Sequence, residues 1–337
     1  MSSNEKSSCE LYGKKVLLIA LPGYSDGIAD QMRRMGAEVD YLNDKPNDGA
    51  VCKIFGRLKV KLYQKIINKY YKEKLSIYKN KRYDYILVIR GEYTTEKALR
   101  IIKELFPKSK LILYMWDSLK NNKGIEEKWR LYDKIFTFDR IDYLNNKDKI
   151  EFLPLYYYEE YLPQIDHEAE PEYVVSFIGT GHQDRIKIVK NIAEQCNKIG
   201  EKTFMYCYMP HKIVYLQNKL MNPYFRRVTI DDVHFSMLPF SKVYEIYMKS
   251  KCIMDIESTA QCGLTMRSIE TIGLKRKLIT TNRDIANYDF YNTNNILIVD
   301  RNNFNIDPKF FDIPYKKLED SIYEKYSLRN WILEVFK

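Results

Sequence analysis

Short apolar runs alternate along this chain with longer stretches in which apolar positions recur every three or four residues. The first pattern predicts strands buried on both faces and the second amphipathic helices; their alternation predicts parallel sheets crossed by helices. In the first half, strands are expected at residues 15–21, 85–89, 110–115 and 134–138, with a short one near Phe152. Helices are expected at 27–35, over a Lys-rich stretch around 57–72, and at 96–105. Residues 162–173 then turn acidic and carry Pro163 and Pro171, the composition of an interdomain linker. A second series follows, with strands at 173–178, 203–208, 251–256, 277–281 and 295–299 and helices at 183–199 and 243–248. Residues 315–337 are again helical in pattern, with Leu318, Ile322, Tyr326, Trp331 and Phe336 among their apolar members. The expected fold is α/β, with two Rossmann-like, doubly wound parallel-sheet domains over 1–162 and 163–314 and a terminal helical stretch over 315–337.

A chain of 337 residues that is 45% hydrophobic is long enough for two domains, each with its own core. Residues 1–13 lack the apolar run and cleavage pattern of a signal peptide, and no window is apolar over the length of a bilayer span, so a cytoplasmic protein is expected. The six cysteines (Cys9, Cys52, Cys196, Cys207, Cys252, Cys262) form no C-x-x-C pair, and four of them lie in apolar stretches as small core residues do. The four histidines (His167, His182, His211, His234) have no ligand spacing, so no metal site is expected.

The formal charge of +10 is concentrated, because residues 53–82 hold eleven Lys or Arg against a single acid, Glu73. Arg57, Lys61, Lys65, Lys69 and Lys72 follow near-helical spacing beside an apolar stripe of Leu58, Leu62, Ile66, Ile67 and Tyr70. A packed helix with a solvated Lys face accounts for this pattern as well as a surface drawn to anionic headgroups or a phosphorylated glycolipid does. Nucleic acid is not expected as a partner, since no helix-turn-helix, zinc-finger or RNP-type pattern accompanies the charge.

Ligands of open parallel sheets collect at the carboxyl ends of strands, where loops and helix N-termini present N–H groups to anions. The loops so placed carry Asp26, Glu92 after Arg90-Gly91, Asp117 after Trp116, Gly179-Thr180-Gly181 with Arg185, and the run from Glu257 to Thr265. Capping accounts for Asp26 and Asp117, and a tight strand-to-helix turn for Gly179 and Gly181. Glu92 has no such account.

The run Gly263-Leu264-Thr265-Met266-Arg267-Ser268-Ile269-Glu270, continuing to Lys277-Leu278-Ile279-Thr280-Thr281-Asn282, resembles the donor-sugar segment of bacterial GT-B glycosyltransferases from lipopolysaccharide-core and capsular polysaccharide clusters. Leu238-Pro239-Phe240 resembles the region beside the nucleotide base in such enzymes, and Ile89-Arg90-Gly91-Glu92 and Tyr114-Met115-Trp116-Asp117 are similar to pieces of their first half. The resemblance implies two domains facing a central cleft, with an acceptor-binding domain over 1–162, a donor-binding domain over 163–314, and 315–337 packing back on the first. It implies transfer of a sugar from a nucleotide-activated donor to a lipopolysaccharide, capsule or related glycan or glycolipid, with no metal and no cofactor beyond the nucleotide sugar as co-substrate.

Under this resemblance the donor meets Gly179, Thr180, Gly181, Arg185, Pro239, Gly263, Leu264, Thr265, Arg267 and Glu270. The helix start at Gly263 to Thr265 offers N–H groups to a diphosphate, and Arg267 or Arg185 offsets its charge. In an E-x7-E motif the second Glu, here Glu270, accepts hydrogen bonds from the donor ribose. The first falls at Cys262, so retaining and inverting transfer both stay open. Inversion needs a general base, for which Glu92, Asp117 and Asp26 are candidates in that order. The protein is expected in the cytoplasm, with Arg57, Lys61, Lys65 and Lys69 available to hold it peripherally on the inner face of the plasma membrane. The alternatives are a nucleotide-sugar 2-epimerase of the same fold and a non-catalytic sugar-nucleotide-binding or scaffold protein.

Overall fold

The computed structural model of the chain describes residues 10–23, 26–46, 61–159, 170–181, 184–258 and 262–337. Most of the expected linker, together with Arg57 and Leu58 of the basic stretch, lies outside the described residues. The chain forms two compact units. One comprises Met1–Leu155 with Thr259–Gly263 and Leu328–Lys337, and the other Tyr156–Ser258 with Leu264–Ser327.

The first unit contains β1 (Lys15–Ala20), β2 (Glu38–Asn43), β3 (Tyr85–Ile89), β4 (Lys110–Met115), β5 (Lys134–Thr137) and β6 (Glu151–Phe152). They form one sheet in the order β2-β1-β3-β4-β5-β6, parallel throughout. After its first residue each of β1, β3 and β4 is buried to its end, as their unbroken apolar sequences require of a sheet covered on both faces. The apolar pattern does not anticipate β2. Glu38, Asp40 and Asn43 interrupt it, and at the sheet edge only Leu42 is buried.

Helices α1 (Asp26–Arg34), α2 (Lys61–Ser76), α3 (Glu96–Leu105) and α4 (Arg140–Asn145) belong to this unit. Helix α2 buries Tyr63, Ile67, Tyr71 and Leu75, each four residues after the last, in the core that includes Leu17, Val88 and Leu99. The buried stripe is therefore rotated from the one expected, and Ile66 is 41% exposed. Tyrosine hydroxyls explain the rotation: Tyr71 donates to the buried Asp44 carboxylate at 2.6 Å, and Tyr70 to Asn43 O at 2.8 Å. Lys65, Lys69 and Lys72 face solvent on the other side.

The second unit contains β7 (Tyr173–Thr180), β8 (Thr203–Tyr208), β9 (Ser250–Asp255), β10 (Lys277–Thr280) and β11 (Ile296–Ile298), a parallel sheet in the order β11-β10-β9-β7-β8. Its helices are α5 (Arg185–Lys198), α6 (Lys212–Met221), α7 (Phe240–Met248), α8 (Met266–Gly273), α9 (Lys309–Asp312) and α10 (Asp320–Lys325). The expected terminal helix is in fact two. Helix α10 stays with the second unit, where Ser327 pairs with Tyr157, and α11 (Leu328–Phe336) belongs to the first. There Trp331 is buried edge-on to Tyr114 with ring centroids 4.7 Å apart, and Phe336 packs on Tyr85 at 4.5 Å. Among the described residues no helix is long and apolar enough to cross a membrane.

Candidate active site

Strand order reverses between β1 and β3 in the first sheet and between β7 and β9 in the second, and ligands of such sheets bind at the carboxyl ends beside these points. In the second unit β9 ends on Asp255, an acid closing an otherwise largely apolar strand and only 1% exposed. A carboxylate so buried needs partners. Helix α8 and its cap supply three: Thr265 Oγ1 at 2.9 Å, Ser268 Oγ at 2.7 Å and Arg267 Nη1 at 2.6 Å. Thr265 is also the N-cap of α8, accepting from the Ser268 N–H, so the helix start is capped from within the protein.

Arg267 is committed to the fold. Its Nε donates to Tyr247 Oη at 3.1 Å, its Nη2 to Ile178 O at 2.5 Å, and its guanidinium lies 5.3 Å from the centre of the Phe177 ring. Burial opposes this cation, but Tyr247 and Asp255 outweigh it and hold its pKa above the ordinary arginine value. Gly179 makes room for it, since a Cβ there would stand 2.9 Å from Arg267 Nη2. Gly181 is a packing residue too: its N–H donates to Tyr208 O at 2.7 Å, and a Cβ would stand 2.9 Å from Ile186 Cδ1. Gly263 gives its N–H to Asp139 Oδ2 at 3.0 Å, within the first unit, so that N–H is engaged rather than offered to a diphosphate. Leu264 is buried, and Pro239 is an exposed residue preceding α7.

Arg185 and Glu270 are differently placed. Arg185 is 8% exposed and donates to Thr180 Oγ1 at 3.2 Å. Burial, then repulsion from Arg267, lowers its pKa to about 10. Glu270 is also 8% exposed, and among the described residues its carboxylate accepts no hydrogen bond. Burial raises its pKa to about 7, with Arg267 opposing the rise and Asp255 adding to it. The charged form of each is thus disfavoured by its surroundings, which an anion beside Arg185 and hydroxyl donors beside Glu270 would reverse.

Two further groups at this end of the sheet escaped the sequence reading. Arg301 holds Asp184 with both forks, at 2.8 and 2.7 Å, and reaches Glu257 Oε1 at 3.2 Å, while Thr281 donates to the other Glu257 oxygen. Asp184 precedes α5 and Glu257 follows β9, so one guanidinium ties two strand exits together. No local spacing signals a partner 117 residues away. Asp255 did have a signal, an acid at the end of an apolar run.

In the first unit, β3 ends in two successive left-handed residues, Arg90 at φ 73° and Gly91 at φ 63°. For an arginine this conformation costs about 1–2 kcal/mol, a strain that tends to gather at functional sites. It brings Arg90 Nη2 to 3.1 Å from Glu92 Oε2 and 3.4 Å from Asp117 Oδ2, so one cation collects both leading acid candidates. Asn121 fixes the other Asp117 oxygen at 2.8 Å, and Lys128 Nζ donates to Gly91 O at 2.8 Å and Thr94 O at 2.9 Å. Glu92 lines a cavity of about 550 Å³ with Tyr63, Asn68, Thr95, Asn121 and Lys123. Asp26 is an exposed residue of the first turn of α1 and takes no part in the Arg90 cluster.

No family model and no curated protein sequence matches this chain. Solved structures do. An α-glucosyltransferase in complex with UDP and a 13-mer DNA containing a central A:G mismatch aligns over 96% of this chain and 95% of its own, at 14% identity and a TM-score of 0.60. The catalytic domain of starch synthase IV from Arabidopsis thaliana, bound to ADP and acarbose, aligns over 96% and 99% at 11% identity and a TM-score of 0.57. UDP-GlcNAc 2-epimerase from Methanocaldococcus jannaschii aligns over 95% and 99% at 10% identity and a TM-score of 0.54. Identities this low carry the fold alone, and that fold, two parallel-sheet α/β units, is GT-B.

Proposed function

We propose that this chain is a glycosyltransferase that binds a nucleotide-sugar donor on its second unit and a glycan or glycolipid acceptor, rather than nucleic acid, on its first. Glu270 carries the reading. A buried carboxylate with no hydrogen-bond donor of its own, one helix turn beyond the Thr265 cap and at the reversal point of the sheet, is poised for the hydroxyls of a ribose. Arg185 is the cation for the diphosphate, and Thr180 beside it adds a hydroxyl. In transfer, the acceptor oxygen bonds to the anomeric carbon as the bond to the diphosphate breaks, and Arg185 stabilises the charge that gathers on the leaving group. If the anomeric centre inverts, Glu92 takes the acceptor proton, with Asp117 next in order.

Metal independence belongs to the proposal. Among the described residues no three His, Cys, Asp or Glu side chains converge as a metal site, and arginine takes the role that a cation has elsewhere. A lipopolysaccharide or capsule acceptor rests on the sequence resemblance. The test is a thermal-shift screen against nucleotides and nucleotide sugars, in which a true donor at 100 times its dissociation constant raises stability by about 2.7 kcal/mol. No shift with any nucleotide overturns the reading.

A second reading, a nucleotide-sugar 2-epimerase, is supported by the fold shared with the archaeal UDP-GlcNAc 2-epimerase. Incubation with nucleotide sugars alone separates the two, because an epimerase converts its substrate without an acceptor.

A further inference from the structure

Fifteen large hydrophobic side chains are exposed among the described residues, and six of them, Ile213, Leu216, Leu220, Met221, Tyr224 and Ile230, fall within a single short segment. Scattered singly they would need no explanation; gathered on one helix and its following turn they do. Helix α6 places Ile213, Leu216 and Leu220 at i, i+3 and i+7, on one face, and they are 68%, 58% and 87% exposed. The opposite side is anchored: Tyr215 is buried and donates to Val228 O at 3.2 Å, and Val214 packs on the core of the second unit. Lys219 Nζ draws the following turn back onto the helix through Phe225 O, Arg226 O and Val228 O, at 2.6 to 3.2 Å. The exposed stripe is therefore held by fixed structure.

Its flanks carry one sign of charge. Between Glu201 and Asp231 there is no acid, while Lys202, Lys212, Lys219, Arg226 and Arg227 supply five cations. No ion pair among the described residues engages Lys212, Arg226 or Arg227, and Asp232 just beyond is already bound to Lys190 at 2.8 Å. An exposed apolar stripe bordered by unpaired cations matches a surface that is apolar within and anionic above, which is a bilayer containing acidic lipid. The basic helix α2 lacks this combination. Along its described side chains only Ile66 is a large exposed hydrophobe, and its apolar face is in the core.

We propose that α6 and the turn after it are a membrane-docking surface that seats on anionic lipid, with Ile213, Leu216, Leu220 and Met221 below the headgroups and Lys212, Arg226 and Arg227 at the phosphates. The experiment is co-sedimentation of the full chain with phosphatidylglycerol-containing vesicles and with pure phosphatidylcholine vesicles. Binding is expected to the first, to weaken at high salt, and to fall by about tenfold or more in Leu216→Glu/Leu220→Glu and in Arg226→Gln/Arg227→Gln. Lys65→Gln/Lys69→Gln is expected to bind like the parent. Equal melting temperatures in all variants show that each is folded, independently of whether the donor assignment holds. No vesicle binding by the parent, or undiminished binding by the Leu216/Leu220 variant, overturns the proposal. So does a self-association abolished by that variant in a protein that ignores vesicles, which would make the stripe a contact between copies.

Discussion

Arg267 lies close enough to Glu270 to lower its pKa, yet directs its hydrogen bonds to Asp255, Tyr247 and Ile178 O and none to Glu270. The helix spacing of the two invites a surface ion pair. The outcome is a carboxylate that feels a cation and is not hydrogen-bonded by it, which leaves its oxygens for hydroxyl donors.

Glu270→Gln is expected to weaken donor affinity by about ten- to a hundredfold, the worth of hydrogen bonds to an ionised group. Calorimetric titration of the nucleotide identified by thermal shift measures it. Equal affinities remove Glu270 from the site.

The same residue sets a pH dependence. Its pKa in the folded protein, about 7, lies above its ordinary 4.5, so the native state holds the proton more tightly than the unfolded chain. Its stabilising contribution is complete below about pH 4.5 and is lost as pH rises through 7, up to about 3 kcal/mol. Glu270→Gln should therefore melt higher than the parent at pH 8 without ligand, and near the parent at pH 5. A variant that melts lower than the parent at both pH values would show that the carboxylate holds the fold.

Arg185→Met should cost nucleoside diphosphate binding about ten- to a hundredfold and leave the free nucleoside unaffected. The unliganded protein should be no less stable, because an apolar chain of similar volume replaces a cation whose pKa burial lowers to about 10. Calorimetry with the two ligands checks this, and an equal loss for both places Arg185 away from the phosphates.

Glu92→Gln should lower the transfer rate by about 10²- to 10⁴-fold while donor affinity stays unchanged. Asp117→Asn should do less, since Asp117 is also held by Ser118 N–H and Asn121. Unimpaired transfer by the Glu92 variant removes it as base and favours a retaining reaction. Transfer should also persist in EDTA; complete loss restored by magnesium or manganese would return a metal to the mechanism.

Gly273→Ala sets two effects against each other. Helix propensity favours alanine by about 1 kcal/mol. Its Cβ, however, would stand 2.6 Å from Cγ of Tyr157, a residue that is 1% exposed and whose backbone N–H donates to Tyr326 O at 2.8 Å. Overpacking typically costs about 1–3 kcal/mol, so a net loss and a melting temperature lower by a few degrees are expected. An unchanged melting temperature would mean that the ring gives way freely.

Apolar runs made most strands legible, because β1, β3, β4 and β9 are buried on both faces and carry little polar interruption. Strand β2 was illegible for the opposite reason, being an edge strand with one buried side chain. In α2 the period was legible but its phase was not: tyrosine counts as amphipathic until a partner such as Asp44 for Tyr71 is known, and that partner is 27 residues away. Likewise Glu270 was reached through the resemblance and its E-x7-E motif, whereas the Arg267 bond to Ile178 O and the Arg301 tie to Asp184 depend on the order of strands in the sheet.

Three separate pieces of chain make up the first unit, and one of them, Leu328–Lys337, is synthesised after every residue of the second. All six strands of the first sheet emerge from the ribosome well before Trp331 and Phe336, the rings that pack on Tyr114 and Tyr85. The domain that begins folding first is thus completed after its successor has been made, and meanwhile keeps an apolar face uncovered. A stop codon at position 328 removes nothing from the second unit, yet it leaves the unit at the other end of the gene without its cover, a substrate for chaperones and proteases.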